Sequence, residues 1–350
     1  MTRIIHSPEL LDRNQSYAIY GYGGIGRFVR TKMEQLSLKI VAIIDDNNTE
    51  SLCIRFEDFQ ATCIEKDQPT ILICAANYSV LTANVEAAGF AYMIVDPTYT
   101  ENENVFKRVS TQQKGDILLS ANNNALNLLA SNFNDIEPQT IAWLNGLSDN
   151  NSVLFDIGAS TGCFSVYAAI EHTGQVFAFE PDIFNFSQIP VQHQANGERI
   201  THLEYFNLAL GNSTSRRQLE MKNASAGAHC KLIKSPEDET EPDGINAFSQ
   251  PTLMMKLDDT MRVFSLPAPT HLKIDVDGYE YHVLLGAIET LASESLKEIL
   301  IELSDDEKNA PACIALLRKN GFTLKEKHAI NELTAAPVAG VFNYLFVKEC

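Results

Sequence analysis

VLFDIGASTGCF, Val153 to Phe164, runs from apolar residues through two glycines into a second apolar stretch at helical spacing. That order is the pattern of a strand that feeds a tight turn opening a helix. In a doubly wound sheet such a turn lies beyond the carboxyl end of a strand, where ligands bind. A phosphate-binding turn avoids carboxylates, because its backbone N–H groups and helix N-terminus must meet negative charge. Here Asp156 stands just before Gly158 and is expected on the ligand side of the strand end. The turn therefore predicts a ligand with an amino group or another positive centre.

The next strand, QVFAFEP, ends in Glu180, placed to accept hydrogen bonds from both hydroxyls of a ribose. The third, HLEYFNLAL, brings Asn207 and Ala209 to where a base is met. With Gly158, Ala159 and Gly162 of the turn, these positions describe a nucleoside with free ribose hydroxyls and a cationic, phosphate-free tail. S-adenosylmethionine fits that description. Further alternation follows in HLKIDVDG, EYHVLLGAIETLA, EILIEL and a helix through Asn320. FTLKEKH and GVFNYLFVKE then close the pattern with no helix between them, so the last strand is expected to insert antiparallel. Between these blocks, Asn223 to Pro251 is polar and carries the acidic run SPEDETEPDG, read as a solvated insertion or, alternatively, a lid.

DIGASTG, FEPD, LDDT at Leu257–Thr260, LKIDVDGYEYHVLLGA and ILIEL stand in an order that resembles the class I S-adenosylmethionine-dependent methyltransferases of the FkbM family. The likeness covers about 200 residues, Asn151 to Cys350, and departs from the family pattern where Asp277 replaces Glu and Ser160 replaces Asn. It implies O-methylation of a saccharide or other small molecule. In-line transfer from a sulfonium needs alignment of donor and acceptor, and a base for the hydroxyl proton. Asp275 and Asp277, at the end of KIDVDG, are the candidate bases. Two like charges so close can also share a divalent cation, with Glu302 completing an oxygen site. The arrangement is similar to that of metal-dependent sugar O-methyltransferases, which implies Asp277 as base and Asp275 as metal ligand. His282 is read as structural, and Lys273 as packing on the opposite face.

A second glycine turn lies upstream, in IYGYGGIG. Gly21, Gly23 and Gly26 form the G-x-G-x-x-G of a dinucleotide site, and Asp45 closes the following strand. The pattern stops near Pro97, however, which leaves half of a dinucleotide fold. It resembles small nucleotide-binding domains of bacterial sugar-modifying enzymes. A sugar nucleotide, NAD or a vestigial scaffold are all open, and an NAD-dependent oxidoreductase or a sensor without turnover is the competing function. DPTY, Asp96 to Tyr99, is read as a turn.

The expected architecture is thus α/β: a Rossmann-like domain over residues 1–100, a helical connector over 101–150, and a seven-stranded methyltransferase sheet over 151–350. Length supports two domains. The chain carries a formal net charge of −18, which argues against nucleic acid and anionic membrane surfaces as partners. No apolar run has signal-peptide or membrane-spanning length, so a cytoplasmic location is expected. Seven cysteines (Cys53, Cys63, Cys74, Cys163, Cys230, Cys313 and Cys350) form no CxxC pair and are read as reduced.

Overall fold

The strand, glycine turn and helix occur twice in the computed structural model, once in each of two units. One unit comprises Met1–Asn104 and Gln194–Gly197, the other Val105–His193 and Glu198–Cys350. The structure describes residues 3–5, 8, 11–63, 68–75, 78–95, 106–111, 115–147, 151–171, 174–200, 202–221, 224–227, 232–234, 248–305, 309–331 and 337–349. DPTY and the acidic run SPEDETEPDG lie outside them.

The first unit holds β1 (Arg3–Ile5), β2 (Ser16–Tyr20), α1 (Gly24–Gln35), β3 (Lys39–Ile44), α2 (Phe56–Thr62), β4 (Thr70–Ile73), α3 (Ser79–Ala87) and β5 (Tyr92–Val95). Its strands pair in the order β1-β5-β4-β2-β3, all parallel. Strands buried on both faces read as continuous apolar runs, and TILI at Thr70–Ile73 is such a run. The sequence reading had not found β1 or α2.

The second unit opens with a hairpin, β6 (Phe106–Val109) and β7 (Ile117–Ser120), and two helices, α4 (Asn124–Ile136) and α5 (Pro138–Gly146). The helical reading of ILLSANNNALNLL was wrong at its start: ILLS is a fully buried strand. A short apolar run cannot be told from a helix turn by periodicity alone. α4 begins where Asn123 caps the Leu126 N–H. Pro138 follows Glu137, and the residue before a proline is steered away from helical backbone. Glu137 accordingly sits at φ −135°, ψ 67°, between the two helices.

The methyltransferase-type alternation continues through β8 (Val153–Ile157), α6 (Cys163–Glu171), β9 (Gln175–Phe179), α7 (Ile183–Phe186), α8 (Gln188–Asn196), β10 (Leu203–Phe206), β11 (Ala209–Leu210), β12 (Ser215–Met221), β13 (Leu232–Lys234), β14 (Phe248–Met255), α9 (Leu257–Phe264), β15 (His271–Ile274), α10 (Glu280–Leu285), α11 (Ile288–Ala292), β16 (Glu298–Ser304), α12 (Asn309–Lys319), β17 (Phe322–Asn331) and β18 (Pro337–Lys348). Its main sheet has seven strands in the order β10-β9-β8-β15-β16-β18-β17. The last strand, β18, runs antiparallel to both β16 and β17, as the missing crossover helix requires. This is the class I methyltransferase topology. Of the stretch Asn223–Pro251, expected to be an insertion, the described residues supply β13 and the start of β14 to a second sheet, β11-β14-β12-β13. Among the described residues, no helix is long and apolar enough to cross a membrane.

Alternation along the main sheet separates two cores. Phe155, Phe177, Ile274, Ile301 and Phe346 face α9–α12, whereas Leu154, Val176, Leu300 and Leu345 face the layer of α4, α5 and α6. α4 joins that layer through Phe133, whose ring lies 5.3 Å from Phe164 and 5.5 Å from Tyr167. Trp143 of α5 donates to Glu298 at 2.8 Å. Truncation of a buried aromatic usually costs about 3–5 kcal/mol. Phe133→Ala is therefore expected to lower the second unit's stability by about that much, read from its urea unfolding transition.

Candidate active site

A cavity of about 700 Å³ opens at the carboxyl ends of β8, β9, β15 and β16. Its loop side is Gly158, Ala159 and Ser160. Gly158 has φ +81°, and a Cβ there would lie 1.8 Å from the Asp275 carbonyl oxygen. Only glycine fits a turn pressed so closely on the neighbouring strand. Ser160 also has positive φ, 51°, a conformation that Asn tolerates well, which gives a physical reason for Asn at that place in the family pattern.

The expected cofactor residues divide. Glu180 and Ala209 line the cavity with Gly158 and Ala159; Asp156, Gly162 and Asn207 are not among its lining residues. Glu180 accepts the Ser160 N–H and the Asp182 N–H, each at 2.8 Å, so it fixes the turn as well as facing the cleft. Asn207 donates to the carbonyls of Glu180 and Pro181. Asp156 does not guard the mouth of the cleft. It is 1% exposed, beneath the turn, and accepts the Ser165 hydroxyl. Burial pushes its carboxyl up, against the pull of Lys273.

The acidic floor is larger than the sequence suggested. Asp275, Asp277 and Glu302 all line the cavity, and so do Lys273 and Glu137. Ligand oxygens of Glu137, Asp275 and Glu302 lie within 4.8 Å of one another. Glu137 reaches this floor from the Glu137–Pro138 break and accepts from Thr140 at 2.7 Å and Asn343 at 2.9 Å. Placing Lys273 on the opposite face was an error of parity: residues two apart on a strand share a face. Lys273 is level with Asp156 on the adjacent strand, and its ammonium lies 2.9 Å from Asp275 Oδ2 and 4.0 Å from Asp156 Oδ1. It is 3% exposed. Burial opposes its charge, yet the carboxylates of Asp275, Asp156 and Glu137 outweigh that and hold its pKa above the ordinary lysine value.

Asp277 follows the strand with φ +52°, in the turn before α10. That turn is held by Glu280, which accepts the Gly278 N–H at 2.9 Å and the Val276 N–H at 3.3 Å. Burial raises the Glu280 pKa to about 7. His282 stacks on Tyr279 at 4.2 Å and is not a lining residue. Asp258 of the LDDT block caps α11 through the Glu289 and Thr290 N–H groups. Glu137 had no sequence signal except the proline after it, and Glu280 none beyond its acid in a helix's first turn.

In the first unit, Gly26 sits against the Gly21 carbonyl, where a Cβ would approach to 2.1 Å, and Gly23 is exposed. Asp45 accepts three backbone N–H groups: Tyr22 at 2.6 Å, Asn47 at 2.9 Å and Asn48 at 2.9 Å. Its carboxylate thus braces the glycine turn itself.

The sheet order, the glycine turn and the acids beyond its strands define a class I S-adenosylmethionine-dependent methyltransferase. Residues 156–324 match the family described as the methyltransferase FkbM domain. Over 198 residues the chain is 27% identical to the 31-O-demethyl-FK506 methyltransferase FkbM of Streptomyces tacrolimicus, covering 49% of this chain and 73% of that protein. It is 28% identical over 208 residues to the AMB antimetabolite synthetase AmbE of Pseudomonas aeruginosa, covering 49% of this chain but 10% of that protein. Solved structures with likeness include precorrin-6y C5,15-methyltransferase from Geobacter metallireducens, 16% identical, TM-score 0.36, covering 61% of this chain and 88% of that one. Magnesium protoporphyrin IX methyltransferase from Synechocystis with bound SAM is 10% identical, TM-score 0.38, covering 65% and 85%.

Burial, with the charges of Asp275 and Glu137, pushes Glu302 from its ordinary 4.5 up to about 10. The folded protein then keeps a proton that the unfolded chain releases above about 4.5, so this residue's contribution to stability falls as pH rises towards 10. Glu302→Gln removes that slope. The variant is expected to melt higher than the parent at about pH 9 and to differ less at about pH 5, in thermal unfolding followed at both.

Proposed function

We propose that the second unit transfers the methyl group of S-adenosylmethionine to a hydroxyl of a small-molecule acceptor. The observation that carries this reading is one cavity joining the Gly158–Ser160 turn and Glu180 to the acids Asp275, Asp277 and Glu302. Glu180 holds the ribose hydroxyls, with the turn against the methionine portion and Ala209 beside the base. When bound, S-adenosylmethionine supplies an activated methyl whose carbon–sulfur bond breaks with its electron pair left on sulfur. The protein aligns the acceptor oxygen in line with that bond, and Asp277 takes the hydroxyl proton as the new carbon–oxygen bond forms. Asp275, fixed through one oxygen by Lys273, orients the hydroxyl with the other.

The apolar part of the cavity lining favours an acceptor hydroxyl carried on an apolar skeleton over a bare saccharide. Leu128, Leu129, Phe133 and Ile136 of α4 line it together with Ile330 and Val341 of the β17–β18 pair. Such a surface leaves the hydroxyls of a sugar without partners. The name of the Streptomyces relative places its methyl on oxygen, which supports the same acceptor atom. The acidic net charge of the chain supports a small molecule over nucleic acid. An NAD-dependent oxidoreductase built on the first unit is the weaker reading, because the family match and the acid-lined cavity both lie in the second unit.

Calorimetric titration of the full chain with S-adenosylmethionine tests the cofactor half. Loss of a charge-assisted hydrogen bond, worth about 1.5–3 kcal/mol, should make Glu180→Gln bind roughly 10–100-fold more weakly. An unchanged affinity would remove the ribose role. Asp277→Asn should keep cofactor affinity and slow transfer from methyl-labelled cofactor into hydroxylated acceptors by about 10²–10⁴-fold, and an unaltered rate would move the base elsewhere.

A further inference from the structure

Carboxylates gather at the floor of the cleft in a way that invites a metal ion, and the structure shows why that invitation is already answered. Polar side chains occupy one face of adjacent central strands: Asp156 on β8, Lys273 on β15, Glu302 on β16 and Asn343 on β18. Glu137 enters the same layer from the α4–α5 break. Within it, the donor set for a divalent cation is Glu137, Asp275 and Glu302. Yet the Lys273 ammonium stands 2.9 Å from Asp275 Oδ2, on one of the three acids of that set, and 4.0 Å from Asp156 Oδ1. It also lies over the Phe164 ring at 5.4 Å, an aromatic face that favours a cation. An ion held by Asp275 would have to share that carboxylate with a buried positive charge that cannot withdraw to solvent.

We propose that Lys273 is the resident cation of this carboxylate cluster, positioning Asp275 and excluding a divalent ion from the site. A single ammonium replaces the metal that the acid spacing suggests. It fixes one oxygen of Asp275 and leaves the other towards the cleft, and it compensates Asp156 beneath the glycine turn. One side chain thereby ties the acceptor end of the cavity to the support of the cofactor end. The assignment of Asp275 to the acceptor rests on the function proposed above, but the exclusion of metal does not.

Mn2+ is the probe, because its electron paramagnetic resonance signal reports bound and free ion without any turnover. The full chain is titrated as wild type, Asp275→Asn, Lys273→Met and the Lys273→Met/Asp275→Asn double variant. Adventitious uptake by surface acids appears in all four and is removed by comparison with the Asp275→Asn proteins. Wild type should bind no more Mn2+ than Asp275→Asn does. Lys273→Met, which leaves three carboxylates without their cation, should gain Mn2+ affinity by about tenfold or more, and the double variant should lose that gain. Uptake by wild type that Asp275→Asn abolishes overturns the proposal, whether or not the methionine variant folds. A Lys273→Met protein that is folded by circular dichroism yet takes up no extra Mn2+ overturns it too. Neither result bears on S-adenosylmethionine affinity, so a failure here is distinct from a failure of the methyl-transfer reading.

Discussion

A buried ammonium needs partners, and Lys273 organises the second unit through the ones it has. Isolated charge in an apolar interior is costly, so the group persists only where opposite charges and hydrogen bonds surround it. Its neighbours come from separate stretches of chain: Asp156 before the glycine turn, Asp275 at the end of its own strand, and Glu137 at a proline-enforced helix break. Removing any one leaves the others over- or under-compensated. The glycine turn, the acidic cavity floor and the connector helices therefore share one electrostatic constraint.

That constraint accounts for the division of labour among the acids. Glu302 lies where burial and two neighbouring carboxylates keep it protonated at neutral pH, whereas Asp275 is held directly by Lys273. Asp277 stands past the strand end, in a turn anchored by Glu280. Acids of one cluster thus sit in different surroundings, one buried among carboxylates and one against an ammonium.

The sheet was legible in the sequence because its central strands are buried on both faces, giving runs such as VLFDI and EILIEL that admit few alternatives. The paired final strands were legible for a topological reason, since without a crossover helix they must run antiparallel. The β6–β7 hairpin was not, because three buried apolar residues and a serine shortly before an asparagine cap look like the first turn of the helix. Asp156 was misplaced by reasoning from ligand charge without asking what lay on the next strand. Glu137 lies outside the cleft motifs, in the helical connector, and only the packing of α4 and α5 brings it there. Strand alternation alone places Lys273 on the same face as Asp275.

The position of β18 has a consequence for how this chain is made. Of the seven strands it is synthesised last, yet it lies inside the sheet between β16 and β17. While a ribosome is still producing it, β16 presents an open edge of apolar strand, and β17 has no strand to pair with. Such edges are templates for unwanted pairing. Completion of the fold is thus delayed until translation has passed residue 348, and a nascent chain stalled before that point is the form most exposed to aggregation and most in need of a chaperone.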